Sequence, residues 1–222
     1  MIEVDQSRLN EPAEFDAKCR QKGAQWLVEH PKASRKRNQR PRDFWSPFKG
    51  DLAEAFRDLC AYGAMYEPVG TVDHFLPVDA DESLAYEWSN YRFASAWINS
   101  SKNKAVTILD PLAVREGWFE VLLPSLQLVV VPENIPEQLR ELAVQTLERL
   151  HLRDDERVLR QRRSWYRMYQ EGKLTLEGLR EVAPLIAAAV ERQVAQHSLF
   201  EKLGHASPLN IAKQLLRTAG IT

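Results

Sequence analysis

The stretch from Gly70 to Asn103, GTVDHFLPVDADESLAYEWSNYRFASAWINSSKN, constrains the fold more than any other part of the chain. Thr71-Val72-Asp73-His74-Phe75 has the β-branched and aromatic content of a short strand, with His74 near its end. Pro77 and the polar run Asp79 to Ser83 predict a loop. Asn90 falls at a turn or strand start, and Tyr91 to Ile98 begins as strand and passes into a helix around Trp97 to Lys102. Strand, loop, strand, helix is therefore the expected order.

The same stretch holds the chain's best candidate chemistry. Hydrolysing a phosphodiester needs an activated water, a cation to neutralise developing charge, and geometry that holds them in line. An imidazole titrates near neutrality, so His74 can accept a proton from water. Asp73 offers a carboxylate oxygen and Asn99 an amide oxygen, hard donors suited to one divalent cation, Mg2+ or Mn2+. Neighbours on a strand point to opposite faces, so Asp73 and His74 share a site only where the strand ends or bends. Asn90, sixteen residues after His74, suits a structural task, its amide bridging backbone groups of the loop. Lys102, one turn beyond Asn99, is a candidate phosphate contact, and Asn103 a candidate additional ligand. Each signal alone is weak, because an Asp-His dipeptide and turn-forming Asn residues are common.

Around this core the sequence predicts mainly helix. Phe15, Cys19, Trp26 and Leu27 share a helical pattern between Glu11 and His30, which Pro31 ends. Pro31 to Lys49 then carries Lys32, Arg35, Lys36, Arg37, Arg40, Arg42 and Lys49 against one acid, Asp43. Such a run suits an extended arm along phosphates, or equally a solvated loop; its place just before the candidate core favours nucleic acid, through Arg35, Lys36, Arg37 and Arg40. Asp51 to Tyr62 shows an amphipathic stripe and predicts a helix packed under the core. Trp118 to Val131 reads as two strands broken at Pro124-Ser125, a second hairpin. Helices follow from Pro136, from about Asp154 to Tyr169, from Thr175, and around Ala183 to Gln196, with a short one at Ser207 to Leu216. The arginines from Arg153 to Arg167 are candidates for phosphate contact, but the acids and aromatics among them favour a packing helix or a protein contact.

The chain has 222 residues, 44% of them apolar, and a formal net charge of −1. It is long enough for a real core and has no overall pull toward nucleic acid, so any basic surface must be local. Cys19 and Cys60, the only cysteines, cannot supply a four-cysteine zinc site and argue against a disulfide framework. No window suits a membrane span or signal peptide, so the expected location is cytoplasmic.

The stretch resembles the HNH, or ββα-metal, endonucleases of a bacterial, defence-associated group. The residues that carry the resemblance are Cys60-Ala61-Tyr62-Gly63, Val72-Asp73-His74-Phe75-Leu76-Pro77, Tyr86-Glu87-Trp88-Ser89-Asn90-Tyr91-Arg92-Phe93-Ala94, Asn99-Ser100-Ser101-Lys102, Asp110-Pro111 and Trp118-Phe119. It implies His74 as general base, Asp73 and Asn99 as metal ligands, and Asn90 as the family's central Asn. Arg92 and Lys102 join the candidate nucleic-acid contacts. The implied substrate is DNA, with RNA as the alternative, and the implied setting is anti-phage defence, often beside an ATPase partner.

Two departures matter. Relatives commonly bind a structural zinc through two Cys pairs, but here Gly63, Ser95 and Ile98 stand beside Cys60 at those positions. No structural zinc is expected, and packing by Ile98, Trp97 and Met65 should replace it. Val78-Asp79 replaces the usual Lys-Ser after Pro77, which adds negative charge. The fold expected is α+β: a ββα-metal core with an additional β-hairpin over residues 51–131, between an N-terminal helix and basic arm (1–50) and a helical C-terminal region (132–222). The alternative function is a catalytically degenerate HNH fold that binds nucleic acid or a partner protein.

Overall fold

The first hairpin forms where β-branched and aromatic residues predict it. Strand β1 (Thr71–His74) pairs antiparallel with β2 (Tyr91–Ala94), placing Asp73 opposite Arg92 and His74 opposite Tyr91. Helix α3 (Ala96–Lys102) follows directly and packs on β1. The residues are described from a computed structural model over 1–36 and 39–203. Arg37 and the helix expected at Ser207 to Leu216 lie outside the described residues. All four β2 residues are buried, so this strand is core on both faces. Gly70 is required just before β1, because a Cβ there would meet the Phe93 ring at 2.3 Å.

The helix between Glu11 and His30 starts as a π turn at Asp16–Arg20 and continues as α1 (Gln21–Glu29). Its Phe15 ring meets Phe48, Trp88 and Tyr91 edge-on, fixing the N-terminal segment against β2. Helix α2 (Lys49–Ala55) is shorter than the expected Asp51 to Tyr62. Arg57 and Asp58 take left-handed backbone angles and end it. Residues beyond them form a turn in which Cys60 N–H bonds the Met65 carbonyl and Ala61 N–H the Phe93 carbonyl. Docking that turn on β2 outweighs continuing the helix.

The second hairpin, β3 (Phe119–Leu122) with β4 (Gln127–Val130), turns at Pro124-Ser125 as expected. Helices α4 (Glu137–Arg149), α5 (Glu156–Gln170), α6 (Leu176–Val182) and α7 (Pro184–Leu203) complete the described chain. The Thr175 hydroxyl caps α6 at Gly178 N–H, and Pro184 starts α7 anew. Arg162 of α5 is buried, has no carboxylate partner among the described residues and donates to the carbonyls of Leu126, Leu152 and Arg153, tying the second hairpin to the end of α4. Among the described residues, seven α-helices and two small hairpins make a mostly helical α+β fold. One hydrophobic cluster runs from Phe15 through Phe93 and Val121 to Ile186, so all three expected segments contribute to it. Among the described residues no helix is long and apolar enough to cross a membrane.

Candidate functional site

Strand β1, one face of α3 and residues of the basic arm together line a cleft of about 1040 Å3. His74, Asp73, Asn99 and Asn103 border it from the hairpin side, and Lys32, Arg35, Lys36 and Arg40 from the arm. Residues more than sixty positions apart in sequence thus border one space.

His74 is half-buried, with its ring against Trp45 and Tyr91 at 4.7 and 5.1 Å between centroids, both edge-on. Its Nε2 lies 2.8 Å from the Ala85 carbonyl, which also accepts the Tyr91 hydroxyl at 2.9 Å. A carbonyl only accepts, so Nε2 carries the proton and Nδ1 of the neutral ring is left with a lone pair. Burial pushes the imidazole below 6.5, only partly opposed by the Ala85 carbonyl and the Asp73 charge. The ring is therefore neutral at neutral pH and can act as a base.

Asp73 is almost fully buried. Its Oδ2 accepts the Tyr62 hydroxyl at 2.6 Å and its Oδ1 the Lys102 ammonium at 2.9 Å. Lys102 also donates to the His74 carbonyl at 2.6 Å. The expected phosphate contact by Lys102 is thus corrected: the residue is wholly buried and clamps the Asp73-His74 pair from beneath. Burial lowers its tendency to hold a proton, and the Asp73 carboxylate opposes that.

Arg92 needs a similar correction. Only 3% exposed, it makes a bidentate ion pair with Asp110 at 2.7 and 2.8 Å and donates to the carbonyls of Ser89 and Tyr91. It ties β2 to the turn at Asp110-Pro111 and presents no group to a phosphate. Asn90 holds the loop as expected: its Oδ1 accepts Leu76 N–H at 2.8 Å, and its Nδ2 donates to the Leu76 and Leu84 carbonyls at 3.0 and 3.1 Å.

The Asn99 amide nitrogen faces the Thr71 hydroxyl and the Val72 carbonyl at 3.0 and 3.3 Å. The carbonyl can only accept, so the amide oxygen is turned away from β1, on a residue that borders the cleft. Asn103 caps α3 at a positive φ of 48°, a conformation Asn tolerates better than most residues. On the arm, Arg35 pairs with Glu82 and stacks on Trp26, which fixes the arm's first part. Lys104 pairs with Asp79 at 3.2 Å. Lys32, Lys36 and Arg40 form no ion pair among the described residues and border the cleft.

The four positions that correspond to zinc ligands in the resembled group converge. Gly63 and Ser95 point their N–H groups at Cys60 Sγ, each at 3.4 Å, and a Cβ on Gly63 would lie 3.3 Å from Ile98 Cδ1. Ile98 is buried there, and burial raises the Cys60 thiol above its usual value. A neutral thiol and an isoleucine side chain take the space.

No family model, characterised protein or solved structure matches the chain. The residues themselves therefore carry the functional argument. Sequence reasoning missed three of them: Tyr62, the Ala85 carbonyl and Trp45. The Ala85 contact is made by backbone and leaves no trace in residue type. Trp45 did leave one, as an aromatic among the basic residues of the arm.

Proposed function

We propose that the chain is a metal-dependent endonuclease of the HNH type that hydrolyses phosphodiester bonds in DNA. The observation that carries the reading is the orientation of His74, whose Nε2 is held by the Ala85 carbonyl while the ring borders a cleft also lined by Lys32, Lys36 and Arg40, which have no ion pair among the described residues. In this mechanism His74 Nδ1 takes the proton from the attacking water. Asn90 holds the loop that fixes the ring, and Lys36 and Arg40 position the strand through its phosphates.

Asp73 and Asn99 both border the cleft, and their hard oxygen donors would suit one divalent cation, Mg2+ or Mn2+. Asn99 offers its amide oxygen, and each Asp73 oxygen retains acceptor capacity beside its single hydrogen bond. Such an ion, when bound, supplies positive charge against the charge developing on the phosphate. DNA as the substrate, a place in bacterial defence and a protein partner such as an ATPase rest on the sequence resemblance alone.

A second reading, a binding protein without catalysis, is favoured by the engagement of Asp73 with Lys102 and Tyr62. Plasmid nicking with Mg2+ or Mn2+, with EDTA, and with His74→Ala separates the two. Metal-dependent nicking lost in the variant supports the nuclease. DNA binding without cleavage under either ion, repeated with any neighbouring gene product, supports the binding protein.

A further inference from the structure

We infer that the cleft takes an unpaired DNA strand rather than a duplex, with Trp45 as the platform on which a base stacks beside the scissile phosphate. This rests on the reading of the cleft as a phosphodiester site. Trp45 is only half-buried and lines the same cleft as His74, its ring edge-on to the imidazole. Its backbone N–H is fixed by Asp43, whose carboxylate also caps Ser46, so the indole is delivered from a rigid turn. Tyr86 holds the same turn through the Arg42 carbonyl at 2.8 Å and packs against the indole.

The cleft is walled on both sides. The described arm residues, from Lys32 to Lys36 and from Gln39 to Trp45, form one wall; β1, α3 and the Pro77 to Glu82 loop form the other. Arg35 to Glu82 joins the two walls. Lys32, Lys36 and Arg40 supply positive charge along the arm. A basic groove with an aromatic ring in it is the arrangement that binds single strands, since every base has a face to stack. Within a duplex the base faces are already stacked on each other, so the indole gains nothing there unless a nucleotide is extruded. The acids in the cleft cancel only part of this field: Glu82 and Asp79 are paired with Arg35 and Lys104, and Asp73 with Lys102, which leaves the Asp43 carboxylate against Lys32, Lys36 and Arg40.

The test is fluorescence anisotropy in EDTA at one fixed salt concentration, so that cleavage is not needed and electrostatics are held constant. The probes are a short labelled oligothymidylate, a labelled duplex of the same length, and an abasic strand with the same phosphates. The oligothymidylate should bind wild-type protein about tenfold or more tightly than either other probe. Trp45→Ala should weaken it about tenfold toward the abasic value, and Trp45→Phe should recover most of the loss. Equal affinity for strand and duplex, or for normal and abasic strands, overturns the proposal with wild-type protein alone, whatever the variants do. Single-strand binding without metal-dependent nicking, with or without a neighbouring gene product, would remove the nuclease reading and the scissile phosphate but leave the strand preference and the Trp45 platform standing.

Discussion

Lys102 Nζ lies 2.9 Å from Asp73 Oδ1, and both side chains are almost completely withdrawn from solvent. One buried cation thus fixes the carboxylate of the Asp-His pair, and through the His74 carbonyl its backbone as well. Replacing Lys102 with Met should cost about 3–5 kcal/mol in urea unfolding, because it strands a buried carboxylate beside Tyr62. Adding Asp73→Asn should recover part of that loss. A loss below about 1 kcal/mol would mean that the pair is hydrated and weak.

The Asn90 amide satisfies the backbone at Leu76 and Leu84, next to the loop that carries the Ala85 carbonyl. Asn90→Ala should lower stability by about 1–3 kcal/mol, since backbone groups lose partners. Cleavage should fall further than stability does, because the His74 ring loses its orientation. Thermal melts and cleavage rates on the same samples check this; equal, proportionate losses would make Asn90 structural only.

Packing at the Cys60 corner gives a third expectation. Ile98→Ala should destabilise by about 2–5 kcal/mol through the cavity it leaves. Elemental analysis should find no stoichiometric zinc, and a zinc-selective chelator, with Mg2+ held constant, should leave the melting temperature of the wild type unchanged. Stoichiometric zinc would overturn this account of the corner.

Burial lowers the His74 pKa from 6.5, and the base acts in its unprotonated form. The single-turnover cleavage rate should therefore be flat above pH 6.5 and fall only below it. Stability has the same sign: as pH drops below 6.5 the unfolded chain gains this proton before the folded one, so folding free energy is lost there. A rate that still climbs with an apparent pKa well above 6.5 would place the base elsewhere.

Much of this arrangement was legible because it is local. The β-branched run at Thr71 to Phe75, the strand-to-helix passage after Tyr91 and the break at Pro124-Ser125 all form where sequence pattern places them. Asn90 was legible because an amide in a loop beside a strand has backbone to bridge. Lys102 and Arg92 were not, because their carboxylate partners lie 29 and 18 residues away and a basic residue's type does not reveal its burial. Helix α2 stops at Ala55 for a related reason: beyond the left-handed Arg57 and Asp58, Cys60 and Ala61 are held by the Met65 and Phe93 carbonyls. The cleft itself was half legible, since charge marked the arm but not the position of Trp45 within it.

The central claim is that His74 is the general base of a metal-dependent phosphodiester cleavage, and the most direct test is the single-turnover rate for wild type and His74→Ala on one DNA substrate with saturating Mg2+ or Mn2+. The account predicts cleavage that requires the metal and falls by about 10²–10⁴-fold in the variant, with DNA binding retained. A variant that cuts as fast as the wild type would contradict it.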